Sequence, residues 1–199
     1  MPKPSPLRND LEKLVAESVL IEPTSLGHEE TALGFFDLVG STQRKVDEGH
    51  RDGTVAALQH NAVCGRIGGQ FAGTVVKSLG DGVLMTFASS RDALLAALNI
   101  TNGLSRFTDL QTKIGLTVGA IERLKVLELP DIAGTAVDRC ARLQAKAEAG
   151  EIVVDEPFFQ SVATHLSDFN GITVSEWEAE VLKGLGPVRM RRVTLATSV

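Results

Sequence analysis

Two aspartates stand where their types and spacing allow chemistry. Asp37 interrupts the apolar run Ala32 to Leu38, which ends in Gly40-Ser41-Thr42. A charge inside such a run is costly unless it is paired or bound to a metal. Asp81 lies between Gly80 and Gly82, joining the runs Thr74-Val75-Val76 and Val83-Leu84-Met85. Asp-Gly flanked by β-branched and apolar residues signals a hairpin, so Asp81 falls at a hairpin tip. Taken alone, an acid in that position is ordinary turn chemistry. The flanking glycines, however, leave room for Mg²⁺ carrying phosphates to approach the backbone. Two carboxylates on adjacent strand ends can hold two divalent ions that flank a reacting phosphate. A Gly-Ser-Thr turn that opens a helix also points free N–H groups toward a polyphosphate.

Five segments then follow one another: FFDLVGST, VVKSLGDGVLMTF, KIGLTVGAIE, DIAGTAVDRCARLQAKA and VLKGLGPVRM. In this order they resemble the successive motifs of the class III nucleotidyl cyclase catalytic domain, over residues 30 to 196. An ordered set is far more specific than any single member. The resemblance implies cyclisation of a nucleoside triphosphate to a 3′,5′-cyclic nucleotide and pyrophosphate, with two Mg²⁺ or Mn²⁺ ions per active site. It assigns the metals to Asp37 and Asp81, assisted by the carbonyl of Leu38. It assigns Arg142 to charge on the α-phosphate, and Lys183 to the terminal phosphates, although an exposed turn lysine is an equally simple reading of Lys183 alone. Gly40, Ser41 and Thr42 fall beside the substrate phosphates.

Base recognition falls by the same resemblance to Lys77 and Asp131. A lysine donates to the N1 of adenine and an aspartate accepts from its exocyclic amine, whereas guanine presents the reverse order. Cytosine shows the same edge as adenine, so ATP and CTP both fit, and uracil could be met by a shifted pose. Small stand-alone bacterial cyclases that make cyclic CMP or cyclic UMP in anti-phage signalling also resemble this domain. One position departs from the family: Asp138 stands where an asparagine usually orients the ribose, and a carboxylate there repels the triphosphate unless Arg142, four residues on, neutralises it. In the family the metal carboxylates come from one subunit and the base-binding and helix residues from the other. A chain carrying both sets implies a homodimer with composite sites.

The elements that must position these residues read as an α+β fold. A strand through Asp37, a long helical segment Gln43 to Ile67, the hairpin, a helix Ser90 to Phe107 and a strand Lys113 to Ile121 give the β-α-β-β-α-β order of a ferredoxin-like core. Additional C-terminal strands follow. A helix begins after Gly134, with Val137, Ala141 and Leu143 to Ala145 on its buried side. Then come a strand Glu151 to Val154, a short helix Pro157 to Leu166, and a closing antiparallel pair, Ile172 to Leu182 with Val188 to Thr194. Ahead of the catalytic domain, placed at 30–199, residues 1–29 read as a flexible end, an amphipathic helix Leu7 to Leu20 and a linker Glu22 to Glu30. That helix packs on its own domain or on a partner subunit.

The chain of 199 residues, with 43% hydrophobic and 23% charged residues, has enough material for one sizeable core. No apolar run reaches the roughly 18 residues of a membrane span and no signal-like segment opens the chain, so a cytoplasmic protein free of the membrane is expected. Cys64 and Cys140 make neither a disulfide framework nor a metal pattern. A net charge of −5 and the absence of tyrosine argue against nucleic-acid partners and against an RNA-binding module of the same topology. The remaining alternative to an active cyclase is a catalytically degenerate domain that binds nucleotide or regulates by dimerisation, supported by Asp138 alone.

Overall fold

The computed structural model describes residues 11, 13–17, 24–126, 129–169 and 171–196. Leu11 and residues 13–17 are helical, with Leu11, Leu14 and Val15 exposed. The rest of the expected Leu7 to Leu20 helix, like the flexible end, lies outside the described residues. In chain order the elements are β1 (Thr24–Leu38), α1 (Ser41–Asp47), α2 (His50–Gln70), β2 (Gly73–Leu79), β3 (Gly82–Phe87), α3 (Ser90–Phe107), β4 (Thr112–Val126), β5 (Leu129–Ala133), α4 (Thr135–Gln144), β6 (Ile152–Asp155), α5 (Glu156–Val162), a 3₁₀ turn (Ala163–Asp168), β7 (Ile172–Val174), β8 (Glu178–Leu182) and β9 (Gly186–Leu195).

The strands form one sheet in the order β2-β3-β1-β4-β6-β9-β7, with β5 added to β4 and β8 to β9. Its first four members are the expected ferredoxin-like core, β1 pairing antiparallel with both β3 and β4. β6 joins parallel to β4 by way of α4, and β9 continues the sheet antiparallel to β6. The chain thus has a mainly antiparallel α+β fold. Among the described residues no helix is long and apolar enough to cross a membrane.

Why these residues form this sheet follows from side-chain alternation. Successive strand residues point to opposite faces. Ala32, Phe36 and Leu38 of β1 join Met85, Phe87, Leu94, Ala97 and Ile100 in the core under α2 and α3. The intervening Leu33, with Phe35 beside it, joins Leu84, Ile121, Ala136 and Cys140 in a second cluster under α4. Both faces of the central strands are covered, so β3 is buried at every position. Phe36 is fully buried, and its loss to alanine would cost about 3–5 kcal/mol. Ser89 caps α3, its hydroxyl accepting the Asp92 N–H at 3.1 Å.

Four expectations are corrected. The linker Glu22 to Glu30 is largely strand, because β1 begins at Thr24 and pairs with β4 as far as Thr24 opposite Lys125. The long helix Gln43 to Ile67 is two helices, parted at Gly49, whose φ of 96° no helix continues. The strand ending at Ile121 runs on to Val126 and turns back as β5, which carries Asp131. The segment Ile172 to Leu182 is two strands, β7 and β8, interrupted between them and both paired to β9.

Candidate active site

Asp37 is the penultimate residue of β1, opposite Gly82 on β3 and Lys113 on β4. By alternation its side chain shares the α4 face with Leu33 and Phe35. The glycine across from it matters: a Cβ at position 82 would lie 3.2 Å from Asp37 Oδ1. With only hydrogen there, the carboxyl looks toward the turn that carries Asp81. That turn is the tight Gly80-Asp81 connection of the β2–β3 hairpin, with Gly80 at φ 71°. The main chain ties the two ends together, the Leu38 N–H donating to the Asp81 carbonyl at 3.2 Å. The Ser41 hydroxyl, buried at the start of α1, donates to Asp81 Oδ2.

Asp37 is held by Gln144, whose Nε2 donates to Oδ2 at 3.0 Å, and faces Lys113 Nζ at 3.9 Å. Burial raises its carboxyl above the usual carboxylate range, and the Asp81 charge raises it further, against the smaller opposing pulls of Lys113 and Gln144. Two carboxylates, half removed from water and short of positive charge, suit a hard divalent cation. Among the described residues no group of three or more His, Cys, Asp or Glu gathers in a metal-ligand arrangement. The donor set is therefore two carboxylates to be completed by main-chain, water or ligand oxygens, as Mg²⁺ and Mn²⁺ accept and a structural zinc does not.

A second cluster joins edge strand β2 to β5. Lys77 Nζ lies 2.5 Å from Asp131 Oδ1, which also accepts the Ile132 N–H at 2.7 Å. Burial alone would raise the Asp131 carboxyl; the Lys77 and Ile132 hydrogen bonds outweigh it and hold the group below its ordinary range.

The third set lies on α4 and beyond. α4 docks on bare strand backbone, since a Cβ on Gly115 would come within 2.5 Å of the Cys140 carbonyl. Its buried residues are Ala136, Cys140, Leu143 and Gln144, a correction to the expected Val137, Ala141 and Ala145: the first two are half-buried and Ala145 is exposed. Asp138 and Arg142 are exposed, and among the described residues no ion pair joins them; the partner expected to neutralise Asp138 does not do so here. Lys183 is exposed in the β8–β9 turn, followed by Gly184 at φ 83°. Gly40 and Thr42 are exposed beside the buried Ser41.

The structure thus gathers Asp37, Asp81 and Ser41 in one place and Lys77 with Asp131 in another. Among the described residues no hydrogen bond or ion pair links Arg142, Asp138 or Lys183 to either group. Sequence reasoning missed Lys113 and Gln144, the polar partners of Asp37. The only signal for Lys113 was a cation at the start of a strand run, and Gln144 gave none.

No protein-family model matches the sequence, and no curated protein matches it significantly. Solved structures do. The guanylate cyclase domain of RhGC from Catenaria anguillulae, in complex with GTP, superposes with a TM-score of 0.74 at 18% identity, covering 86% of this chain and 100% of that one. The adenylyl cyclase CyaB from P. aeruginosa gives 0.70 at 19% identity, covering 86% and 98%. The non-canonical dimeric guanylyl cyclase domain of the RhoGC fusion protein from Blastocladiella emersonii gives 0.69 at 16% identity, covering 86% and 99%. The chain has the fold of the class III adenylyl and guanylyl cyclase catalytic domains.

Proposed function

We propose that this protein is a nucleotidyl cyclase that converts a nucleoside triphosphate to a 3′,5′-cyclic nucleotide and pyrophosphate. The observation that carries the reading is the pairing of Asp37 with Asp81 across Gly82, two mutually repelling carboxylates on a fold shared with adenylyl and guanylyl cyclases. Asp37, Asp81 and the Leu38 carbonyl would hold two Mg²⁺ or Mn²⁺ ions. When bound, these lower the pKa of the ribose 3′-hydroxyl and neutralise the leaving triphosphate oxygens.

The chain's own residues do the rest by position and charge, which is most of what phosphoryl transfer needs. Gly40, Ser41 and Thr42 open α1 beside Asp81 and offer N–H groups to phosphate oxygens. Lys77 and Asp131 present a donor next to an acceptor, the complement of the adenine or cytosine edge. ATP or CTP is therefore the substrate by edge complementarity, with UTP reached only in a shifted pose, and GTP is rejected; a pyrimidine product would fit second-messenger synthesis in anti-phage defence. The Arg142 guanidinium supplies paired donors to the α-phosphate, and Lys183 a charge for the terminal phosphates. Among the described residues no hydrogen bond or ion pair links Arg142 or Lys183 to the carboxylates, which supports a homodimer whose two sites each take the metal carboxylates from one protomer and α4 from its partner.

The test is a product assay with ATP, GTP, CTP and UTP, each with Mg²⁺ and with Mn²⁺, read by chromatography and mass. A cyclic product from ATP or a pyrimidine triphosphate is expected, and cyclic GMP would overturn the base assignment. In the same assay a mixture of Asp37→Ala and Arg142→Ala protein, each inactive alone, regains partial activity through one intact composite site. Failure of two folded, exchanging variants to complement overturns the shared site. One observation favours a second reading, nucleotide binding without turnover: exposed Asp138 has no ion pair with Arg142 and would repel the triphosphate. Nucleotide bound with no product in any tube would select it.

A further inference from the structure

The backbone segments that carry the two carboxylates are both reached by a pair of residues on α2. His60 is fully buried. Its Nδ1 lies 3.1 Å from Asn61 Oδ1 and its Nε2 lies 3.1 Å from Thr112 Oγ1. Burial pushes the imidazole below its ordinary pKa, so the neutral ring prevails. A neutral ring with an acceptor at Asn61 donates from Nδ1, and its Nε2 faces both the Cys64 thiol, at 3.6 Å, and the Thr112 hydroxyl, whose single proton goes to the Asp37 carbonyl. The same hydroxyl stands 3.2 Å from the Asp37 carbonyl.

Asn61 works in the other direction. Its Nδ2 donates to Ser78 Oγ at 2.8 Å and to the Gly80 carbonyl at 2.9 Å. Ser78 is the penultimate residue of β2, the first strand of the hairpin, and Gly80 precedes Asp81. Two consecutive residues of one helix therefore reach both segments that carry the acids: His60, through Thr112, the end of β1 at Asp37, and Asn61 the hairpin turn at Asp81. Neither α2 residue has a hydrogen bond to the carboxylates themselves. A pairing needed only for folding would not have to span from one acid-bearing segment to the other.

We propose that His60 and Asn61 are positioning residues that form a strut setting the relative placement of Asp37 and Asp81, and with it the affinity of the site for divalent cation. The proposal rests on the metal reading given above. Partners of this kind, one layer out from the ligands, typically change metal affinity by about 10–100-fold when removed.

The test is a titration of the nucleotide-free protein with Mn²⁺ alone, read by electron paramagnetic resonance, for wild type, Asp37→Ala, Asn61→Ala and Thr112→Val. Thermal unfolding without metal provides the control for folding. Wild type should bind Mn²⁺ and Asp37→Ala should lose that binding. Asn61→Ala, which cuts the hairpin arm, and Thr112→Val, a near-isosteric cut of the β1 arm, should each weaken Mn²⁺ binding by about tenfold. In turnover, the Mn²⁺ concentration for half-maximal rate should rise by the same factor while the nucleotide KM moves less than about threefold. Wild-type Mn²⁺ affinity in a folded variant of either arm overturns the strut and leaves the metal reading standing. Mn²⁺ binding indifferent to Asp37→Ala overturns both.

Discussion

Two acids, one buried and one half-buried, divide this molecule between them. Asp155, at the end of β6, is wholly removed from solvent, yet every side of it is met by a donor: the Thr117 hydroxyl at 2.6 Å, the Phe158 N–H at 3.1 Å and Arg139 at 3.3 Å. Asp37 keeps 24% of its side-chain surface, has one amide and a distant lysine, and faces another carboxylate. Burial raises both carboxyls. The difference is in what the surroundings do about it. At Asp155 the protein supplies donors until the charge is satisfied, and the residue also caps α5. At Asp37 it supplies one amide, a lysine at 3.9 Å and a second negative charge. A carboxylate placed for stability is met by donors, and the proposed cation ligand is left short of them.

The sharpest way to break that contrast is Asp37→Asn. If Asp37 holds metal in a cyclase site as proposed, its loss should lower the cyclisation rate by about a thousandfold or more, since the charge stabilisation involved is several kcal/mol. Without metal, the same variant should melt higher than wild type at neutral pH. The sign follows from the raised pKa: the folded protein binds the Asp37 proton more tightly than the unfolded chain does. Stability is therefore lost as pH rises through that window, and the penalty is complete above it. Asparagine removes the charge and the penalty together. A lower Tm would show that Asp37 stabilises the fold, and the contrast would fail.

Asp155→Ala is the opposite case. It leaves Arg139, Thr117 and the first turn of α5 without their acceptor, and should cost about 3 kcal/mol or more of stability. In a chain of this length that is a fall of roughly 6–12 °C in Tm, while cyclisation per folded molecule at low temperature stays near wild type. An unchanged Tm would remove the distinction from its structural side.

The two acids were not equally legible. Asp37 and Asp81 stood out because a charge in an apolar run and an Asp-Gly turn are local signals, and the hairpin, α3 and β6 were readable for the same reason. Their partners were not, since Gln144 reaches Asp37 across 107 residues through the docking of α4 on Gly115. Lys113 meets Asp37 by sheet register alone. The start of β1 was misread for a related reason. Pro23, Ser25 and Gly27 punctuate like a linker, but pairing with the long arm of β4 decides the conformation. Asp155, with its three donors, followed a short apolar run and drew no attention, because donors supplied by tertiary contacts leave no local trace.

The finest division between the two acids is electrostatic, and Asp81→Asn isolates it. In the metal-free protein the raised Asp37 carboxyl has burial as its larger cause and the Asp81 charge as the next. Neutralising Asp81 therefore removes the smaller part. The Asp37 pKa, followed by carboxyl-carbon NMR, should fall but remain above the ordinary value of about 3.9. The pH window in which the Asp37 charge costs stability moves acidward and narrows, and the variant should melt slightly higher than wild type at neutral pH. Asp155, surrounded by its own donors, should titrate as before. An Asp37 pKa indifferent to Asp81 would mean that the two carboxylates do not sense each other, leaving no repulsion for a divalent cation to relieve. The contrast with Asp155 would then rest on exposure alone.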